Sequence, residues 1–559
     1  MKRMIGIDFG TTNSLCAWMD GDQPLIIPND RGERSTPSAL ARTESGELLV
    51  GASAKNQALA DPSSSLLGVK RLLGKQAGVR LGAQDYEPED LAAAVLRKLK
   101  LDAERYLGFE LSEAVVTVPA RFSDPQRRAV REAAGRAGLR LRRIMNEPTA
   151  AALARAWSVQ NEGDERLVLV YDYGGGTFDA TVLRARGAVC RVLSSEGDDS
   201  LGGMDLDAAL YGDTALRFKR EFSIDPAADP YLGRLLLDLC EKAKIELSSR
   251  AEAIVAVPFL RGPNGVQHPS LRIERGRFEE LALPFIERSM ALVRKVLASS
   301  GAEPRSVDAL VLSGGSSRIP LVSRMLEELT GRRADPRVNP EEIVAQGAAI
   351  EAARLDGSLP SAFPGFEFTD LCSRTFGLEI DGGGFVPLIK KDEPLPSLGQ
   401  RVFTTVEDYQ KSVEMHVLQI DDDTGGGRVS VGRFLLPGIR AAKRGEPRIL
   451  VEFSLDEGDM LKVRAKDLDS GAEQAVSFFD GRENMLNPVE KALSLAERAR
   501  REAQGAQLDS ALMAELDDLC ALALECSRTA DNDKAGHCAT LLEGLLSELA
   551  ARSGRRIMA

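Results

Sequence analysis

Hydrophobic and polar positions follow three different rhythms along this chain. From the N-terminus to about residue 360, short apolar runs at 114–118, 167–171 and 309–312 alternate with longer stretches of amphipathic spacing at 88–106, 124–138 and 277–300. That alternation predicts α/β layering, with strands buried beneath helices. From about 371 to 480 the period shortens to two, as where Val413, Met415 and Val417 alternate with Glu414 and His416. Glycine and proline turns (Gly382-Gly383-Gly384, Gly425-Gly426-Gly427, Pro437-Gly438) separate these runs and predict an antiparallel β-sandwich. The turn-rich run Ser358-Leu359-Pro360-Ser361-Ala362-Phe363-Pro364-Gly365 reads as the linker between the two regions. Beyond Pro488 strand signals cease. Three helical segments are expected near 488–504, 508–528 and 533–552, the first with Asn487 as N-cap and Pro488 at the first helical position.

Within the first region, two stretches read almost as one sequence written twice: Met4-Ile5-Gly6-Ile7-Asp8-Phe9-Gly10-Thr11-Thr12 and Leu169-Val170-Tyr171-Asp172-Tyr173-Gly174-Gly175-Gly176-Thr177. Each is a strand that ends in aspartate and runs into a glycine-threonine turn. Apolar residues follow in both (15–18 and 178–183), then a glycine (Gly21, Gly187), so each predicts a β-hairpin. Glycine turns let backbone N–H groups approach phosphate oxygens unobstructed, and threonine hydroxyls add donors at the same bend. Asp8 and Asp172 repel phosphate, but they suit the water shell of a magnesium ion that bridges phosphates. Two such hairpins facing each other, on lobes of similar construction, would hold a polyphosphate from both sides of a cleft. A third turn, Ser313-Gly314-Gly315-Ser316-Ser317-Arg318, also follows an apolar strand. It would let backbone lie against an adenine or ribose face, with Arg318 stacked on the ring.

Composition narrows the chemistry. The 559 residues exceed what one core of roughly 250 to 300 residues fills, so several domains are expected. With 72 basic against 84 acidic residues the formal charge is −12, which disfavours nucleic acid as a partner. Asp8 cuts the apolar stretch behind Met1-Lys2-Arg3 too early for a signal peptide, and no run approaches the ~18 apolar residues of a membrane span. A cytoplasmic location without a membrane partner is therefore expected. Seven cysteines in no C-x-x-C pair predict buried free thiols. Three histidines (His268, His416, His537) are too few for a histidine triad or zinc site, which leaves carboxylates, a lysine and hydroxyls for any catalysis.

Several motifs now stand in a recognisable order: Ile5-Gly6-Ile7-Asp8-Phe9-Gly10-Thr11-Thr12-Asn13-Ser14, Val116-Thr117-Val118-Pro119-Ala120, Asn146-Glu147-Pro148-Thr149-Ala150-Ala151, residues 172–179, Leu201-Gly202-Gly203, Glu241-Lys242-Ala243-Lys244 and His416-Val417-Leu418-Gln419. Over roughly residues 4–480 the chain closely resembles the DnaK-type heat shock protein 70 chaperones. The resemblance implies an actin-like, two-lobed α/β ATPase domain at 1–362, a linker at 363–370, a β-sandwich substrate-binding domain at 371–484 and a short helical lid at 485–559. It implies ATP or ADP with magnesium, and potassium, as cofactors. Asp8, Glu147 and Asp172 would organise hydrated magnesium and the attacking water, and Asp179 would complete the acidic cluster. Lys70 matches the family's catalytic lysine, while Thr11, Thr12 and Thr177 would bond the terminal phosphates beside Gly10, Asn13, Gly174, Gly175 and Gly176. Gly202, Gly203, Gly314 and Ser316 would complete the nucleotide site, and Glu241, Lys244, Ser248, Gly315 and Arg318 would surround the adenosine. Pro119, Arg127 and Asp370 match positions that relay the signal between domains. Leu378, Phe403, Val413, Met415 and Met460 match the pocket for an apolar side chain of an extended client peptide.

The implied function is a chaperone that binds exposed apolar segments of client polypeptides and releases them under control of ATP. A J-domain co-chaperone and a nucleotide exchange factor are the implied partners. Three places depart from type. The usual acidic-aliphatic linker run is replaced by Phe366-Glu367-Phe368-Thr369-Asp370, a tyrosine near the relay proline is Arg121, and an arch position over the peptide falls close to Asp381. With the short lid, these features resemble the HscC-like branch, and they motivate an alternative: a specialised regulator on the same scaffold that serves one partner without general refolding activity. A small-molecule kinase or an actin-like filament has no evident use for the sandwich behind the cleft.

Overall fold

The computed structural model describes residues 4–477 apart from 76–77, 159–163, 187–188, 263–264, 360–366, 421–427 and 459, and beyond them 510–529 and scattered positions between 492 and 545. Gly187, Phe366, the turn Gly425-Gly426-Gly427, and the helix start at Asn487 and Pro488 lie outside the described residues. The chain divides into two compact units. One comprises Met1–Ser373 with Glu457–Asp459, the other Arg374–Asp456 with Met460–Ala559.

Two large sheets organise the first unit, beside four smaller ones among the described residues. In the first, β1 (Met4–Asp8), β2 (Asn13–Asp20), β3 (Gln23–Ile27), β4 (Glu113–Val118) and β5 (Arg140–Asn146) run in the order β5–β4–β1–β2–β3, with Thr36–Pro37 also paired to β2. In the second, β6 (Arg166–Tyr173), β7 (Phe178–Arg186), β8 (Val189–Asp198), β9 (Ala309–Ser313) and β10 (Glu367–Thr369) run β9–β6–β7–β8–β10. The repeat in the sequence is a repeat in topology. β1 pairs antiparallel with β2 and parallel with β4, and β6 pairs antiparallel with β7 and parallel with β9. Both repeated strands are centrally placed and almost wholly buried, which is why they read as continuous apolar runs rather than alternating ones.

The helices of this unit are α1 (Ala52–Ala60), α2 (Pro88–Leu107), α3 (Asp124–Arg136), α4 (Glu147–Ser158), α5 (Gly203–Phe222), α6 (Pro230–Leu247), α7 (Arg275–Ser299), α8 (Pro320–Thr330) and α9 (Ile343–Asp356). Their ends follow local chemistry. α3 begins at a capping box, in which Ser123 Oγ accepts from Gln126 N and Ser123 N donates to Gln126 Oε1, with a proline in the first turn. α4 and α9 share a core rich in alanine with β1. Small residues there are a steric requirement: a Cβ on Gly347 would stand 1.9 Å from the Ala150 carbonyl oxygen, and one on Gly6 would stand 2.2 Å from Ala349 N. That close packing sets where Glu147, the first residue of α4, must point.

In the second unit, β11 (Thr375–Ile380), β12 (Gly384–Ile389), β13 (Ser397–Phe403), β14 (Ser412–Ile420), β15 (Val429–Pro437), β16 (Ile449–Leu455), β17 (Leu461–Asp467) and β18 (Glu473–Ser477) form two antiparallel sheets, β12–β11–β14–β15 and β13–β16–β17–β18. β16 and β17 alternate strictly between buried and less buried positions, as a sandwich face should. α10 (Ser510–Thr529) is the one complete helix described after the strands, and Leu516, Cys520 and Ala523 on it are buried. All seven cysteines are free and buried, and no helix of the described residues is long and apolar enough to cross a membrane.

Candidate functional site

The two glycine-threonine turns meet face to face. A Cβ on Gly175 would lie 2.0 Å from Thr12 Oγ1, and one on Gly176 would lie 2.6 Å from Thr11 Oγ1, so only glycine lets the second turn approach the first. Each turn is braced from its own lobe. Ser38 Oγ donates to the Gly10 carbonyl at 2.8 Å, and Gly10 N donates to Ser14 Oγ at 3.2 Å. On the other side Gly203 N and Ser316 Oγ both donate to the Gly174 carbonyl, at 2.9 and 3.1 Å, and Met204 N donates to the Gly175 carbonyl at 2.9 Å. Gly202, Gly203, Gly314 and Ser316 are thereby gathered behind the second turn.

Beneath the turns lies an acidic cluster around Lys70. Asp8 and Asp172 end the two repeated strands, and each stands in register with a hydroxyl residue of its parallel neighbour, Thr117 and Ser313. Thr117 Oγ1 donates to Asp8 Oδ1 at 3.2 Å. Lys70, only 2% exposed, donates from Nζ to Glu147 Oε1 at 2.5 Å, and the rings of Phe9 and Phe122 stand 5.7 and 5.5 Å from it. Burial and the neighbouring Glu147 carboxylate push the Asp8 carboxyl up to about 7, against the pull of Lys70 and Thr117. Asp172 is pushed well above the ordinary carboxylate range by burial, Glu147 and Asp8. Asp179 is raised by burial and then by Glu147 and Asp172. Three carboxyls, Asp8, Asp172 and Asp179, each raised by burial and by neighbouring carboxylates, suit an added divalent cation, and hard oxygen donors suit magnesium. Among the described residues no three such side chains converge closely enough to ligate a metal directly. A magnesium ion here would keep water and phosphate oxygens as most of its ligands.

A cavity of about 490 Å³ opens beside the third turn, lined by Ile245, Ser248, Leu312, Ser317, Arg318, Ala334, Asp335 and Val338 among others. Of the residues expected around the adenosine, Ser248 and Arg318 line it. Arg318 Nη2 donates to Asn339 Oδ1 at 2.7 Å, and its Nε pairs with Glu341 at 2.8 Å. Gly315 starts the short 3-10 turn that carries Arg318. Lys244 is engaged elsewhere, pairing with Asp207 at 2.8 Å and donating to the Gly203 carbonyl at 3.0 Å. Glu241 takes Lys55 of α1 at 2.8 Å. That pair joins the lobe of the first sheet to the lobe of the second, as does Arg71, which donates to the Gly176 carbonyl at 2.6 Å and pairs with Asp205 at 3.2 Å. Neither Lys55 nor Arg71 is marked by the sequence, although Arg71 stands next to Lys70.

The expected relay residues are connected through one that motif reading left without a role. Arg127, 2% exposed, donates to the Asn146 Oδ1 at 2.6 Å and to the carbonyls of Phe122 and Ala120 at 3.2 and 3.3 Å. Asn146 Nδ2 in turn donates to Asp370 Oδ2 at 3.1 Å, and Thr149 Oγ1 donates to the same oxygen at 2.9 Å. Pro119 is buried at the end of β4, and its carbonyl accepts from Phe122 N at 3.1 Å. Of the segment expected as linker, the described residues 367–370 belong to the first unit: β10 extends the second sheet, parallel to Val189, Cys190 and Arg191. Arg121, in place of an aromatic residue, pairs with buried Glu196 at 3.1 Å, and Lys295 reaches the same carboxylate at 3.1 Å.

In the second unit Leu378, Met415 and Met460 are buried, at 4%, 4% and 1% exposure, while Phe403 and Val413 are half-buried. Leu378 stands opposite Val417 on the sheet that carries Val413 and Met415, and Phe403 ends β13 of the other sheet. Met460 precedes β17, in a turn where its N–H donates to Asp456 Oδ1 at 3.1 Å.

The chain has relatives among known proteins. The chain matches the family described as Hsp70 protein over residues 4–81 and 75–535. It is 39% identical over 550 residues to the chaperone protein DnaK of Thermotoga neapolitana, covering 98% of this chain and 92% of the relative. Against the proteins of the same name from Thermotoga petrophila and Thermotoga maritima it is 40% identical over 519 residues, covering 92% of this chain and 87% of each relative.

Proposed function

Because the chain belongs to the Hsp70 family, we propose a division of labour among its residues in the ATP-dependent chaperone cycle that it carries out. The chain hydrolyses ATP and holds or releases apolar client segments accordingly. The observation that carries the reading is the pair of glycine-threonine turns in mutual contact above a buried Lys70–Glu147 pair.

The two turns grip the β- and γ-phosphates from both lobes, with the hydroxyls of Thr11, Thr12 and Thr177 as donors and Asn13 beside them. Asp8, Asp172 and Glu147 hold the water shell of magnesium, and Asp179 adds its charge to the cluster. Magnesium, when bound, neutralises charge that develops on the phosphates. Lys70 is a donor already committed to Glu147, so its work is to stabilise the γ-phosphoryl group and orient the water rather than to take a proton. A potassium ion finds its countercharge in the same carboxylates. Adenosine occupies the cavity of Ser248 and Arg318. Leu378, Phe403, Val413, Met415 and Met460 receive one apolar client side chain, worth about 1.5 to 3 kcal/mol when leucine-sized, so the pocket alone grips weakly.

A J-domain protein and an exchange factor complete the cycle, and a cytoplasmic setting suits seven buried free thiols. Within the family, Arg121, Asp381 and the run Phe366-Glu367-Phe368-Thr369-Asp370 favour the HscC-like branch. Single-turnover hydrolysis tests the catalytic assignment. In Lys70→Ala the rate is expected to fall by about 100-fold or more while nucleotide stays bound, and hydrolysis at the wild-type rate would show that the assignment is wrong.

A further inference from the structure

The wall of the nucleoside cavity is held from behind by a charge pair that the roles above leave unused. Arg155 lies on α4, two turns beyond Glu147 and so roughly 12 Å along the helix. Its side chain is 5% exposed, and its Nε stands 2.8 Å from Oδ2 of Asp335, whose side chain is 9% exposed. Asp335 lines the cavity between Ala334 and Pro336. Its carboxylate also accepts from Arg337, at 3.0 Å from Nε and 2.8 Å from Nη2, and from the Arg337 backbone N–H at 3.0 Å. Arg337 is 60% exposed. The carboxylate is therefore tied inward to a helix and outward to an arginine at the surface. Without the inward partner the carboxylate is left to Arg337 at the surface and its place in the cavity wall is no longer tied to α4, while the Asp335 backbone stays bonded to the Leu310 carbonyl at 3.0 Å.

We propose that Arg155 is a positioning residue for the nucleoside: through Asp335 it fixes the wall of the adenosine cavity to the helix whose first residue holds Lys70. The base end and the phosphate end of the nucleotide are then registered on one rigid element. The inference rests on the placement of adenosine in this cavity. The guanidinium also has further donors with which to stay anchored on α4 while it holds Asp335, which a lysine ammonium at the end of a flexible stem does less well.

The test uses the full chain and two probes, ATP and inorganic tripolyphosphate, each with magnesium. Ser323 also lines the cavity, and Ser323→Trp, which fills it, serves as the control. Arg155→Gln is expected to raise KM for ATP about tenfold with kcat within about threefold of wild type, and to leave inhibition by tripolyphosphate unchanged; Arg155→Lys should recover part of the loss. Unaltered KM in Arg155→Gln, or equal weakening of both probes, overturns the proposal. If Ser323→Trp leaves ATP affinity unaltered, the placement of adenosine falls and the proposal with it. If Ser323→Trp weakens ATP and Arg155→Gln does not, only the role of Arg155 falls. Should Arg155→Gln fail to fold, the double variant Arg155→Met/Asp335→Leu, which removes both charges, is read in its place with the same split expected.

Discussion

Glu351 on α9 is fully buried, yet it carries a charge, because Arg143 stands 2.7 Å away and Arg354 2.8 Å away. Burial alone would push its carboxyl up, but Arg354 and Arg143 outweigh burial and hold it below the ordinary carboxylate range. A carboxyl lowered on folding contributes stability that is complete above its unfolded value and is lost as pH falls through the folded one. Glu351→Gln should therefore destabilise the first unit by about 3 to 5 kcal/mol at pH 7. The deficit should shrink in acid, below roughly pH 4. Thermal unfolding of both proteins at pH 7 and near pH 3 checks this, and a deficit of the same size at both values contradicts it. Such pairs were not legible in the sequence, since nothing local brings Arg143 to Glu351 or Arg155 to Asp335. Asp8, Asp172 and the glycine turns were legible, because strand, carboxylate and bend are neighbours along the chain and occur twice. Asn146 was visible within a motif, but its part between Arg127 and Asp370 depends on three segments that only folding assembles.

Elements with strong periodicity stand close to where the pattern predicts them. The expected strand at 114–118 is Glu113–Val118, and the expected helix at 277–300 is Arg275–Ser299. β10 was not anticipated, because three residues at a sheet edge leave no period to read. Ion pairs on long side chains cross the cleft, and Lys55 of α1 with Glu241 of α6 is one of them, at 29% and 20% side-chain exposure. A partly exposed pair is worth up to about 1 kcal/mol, which converts to a few-fold in rate. Lys55→Ala should speed release of bound nucleotide by about two- to fivefold, as followed with a fluorescent ADP analogue in stopped flow. Release that is unchanged or slower would mean that α1 and α6 do not gate the nucleotide.

On the scale of the whole molecule, the chain joins an ATPase unit to a β-sandwich unit, and its chaperone activity requires that nucleotide state in one alter peptide affinity in the other. Asp370 accepts from Asn146, the last residue of β5, and from Thr149 on α4, the helix that begins with the lysine-binding Glu147. A coupling of ~1 to 3 kcal/mol between such sites corresponds to about a 5- to 150-fold change in affinity. The most direct measurement is the dissociation rate of a labelled apolar peptide from the full chain, with and without ATP and magnesium. Acceleration by ATP of about tenfold or more, abolished when Asp370→Ala and Asn146→Ala are combined, is the expected result. A peptide that binds tightly and leaves at the same rate whatever the nucleotide would contradict the account.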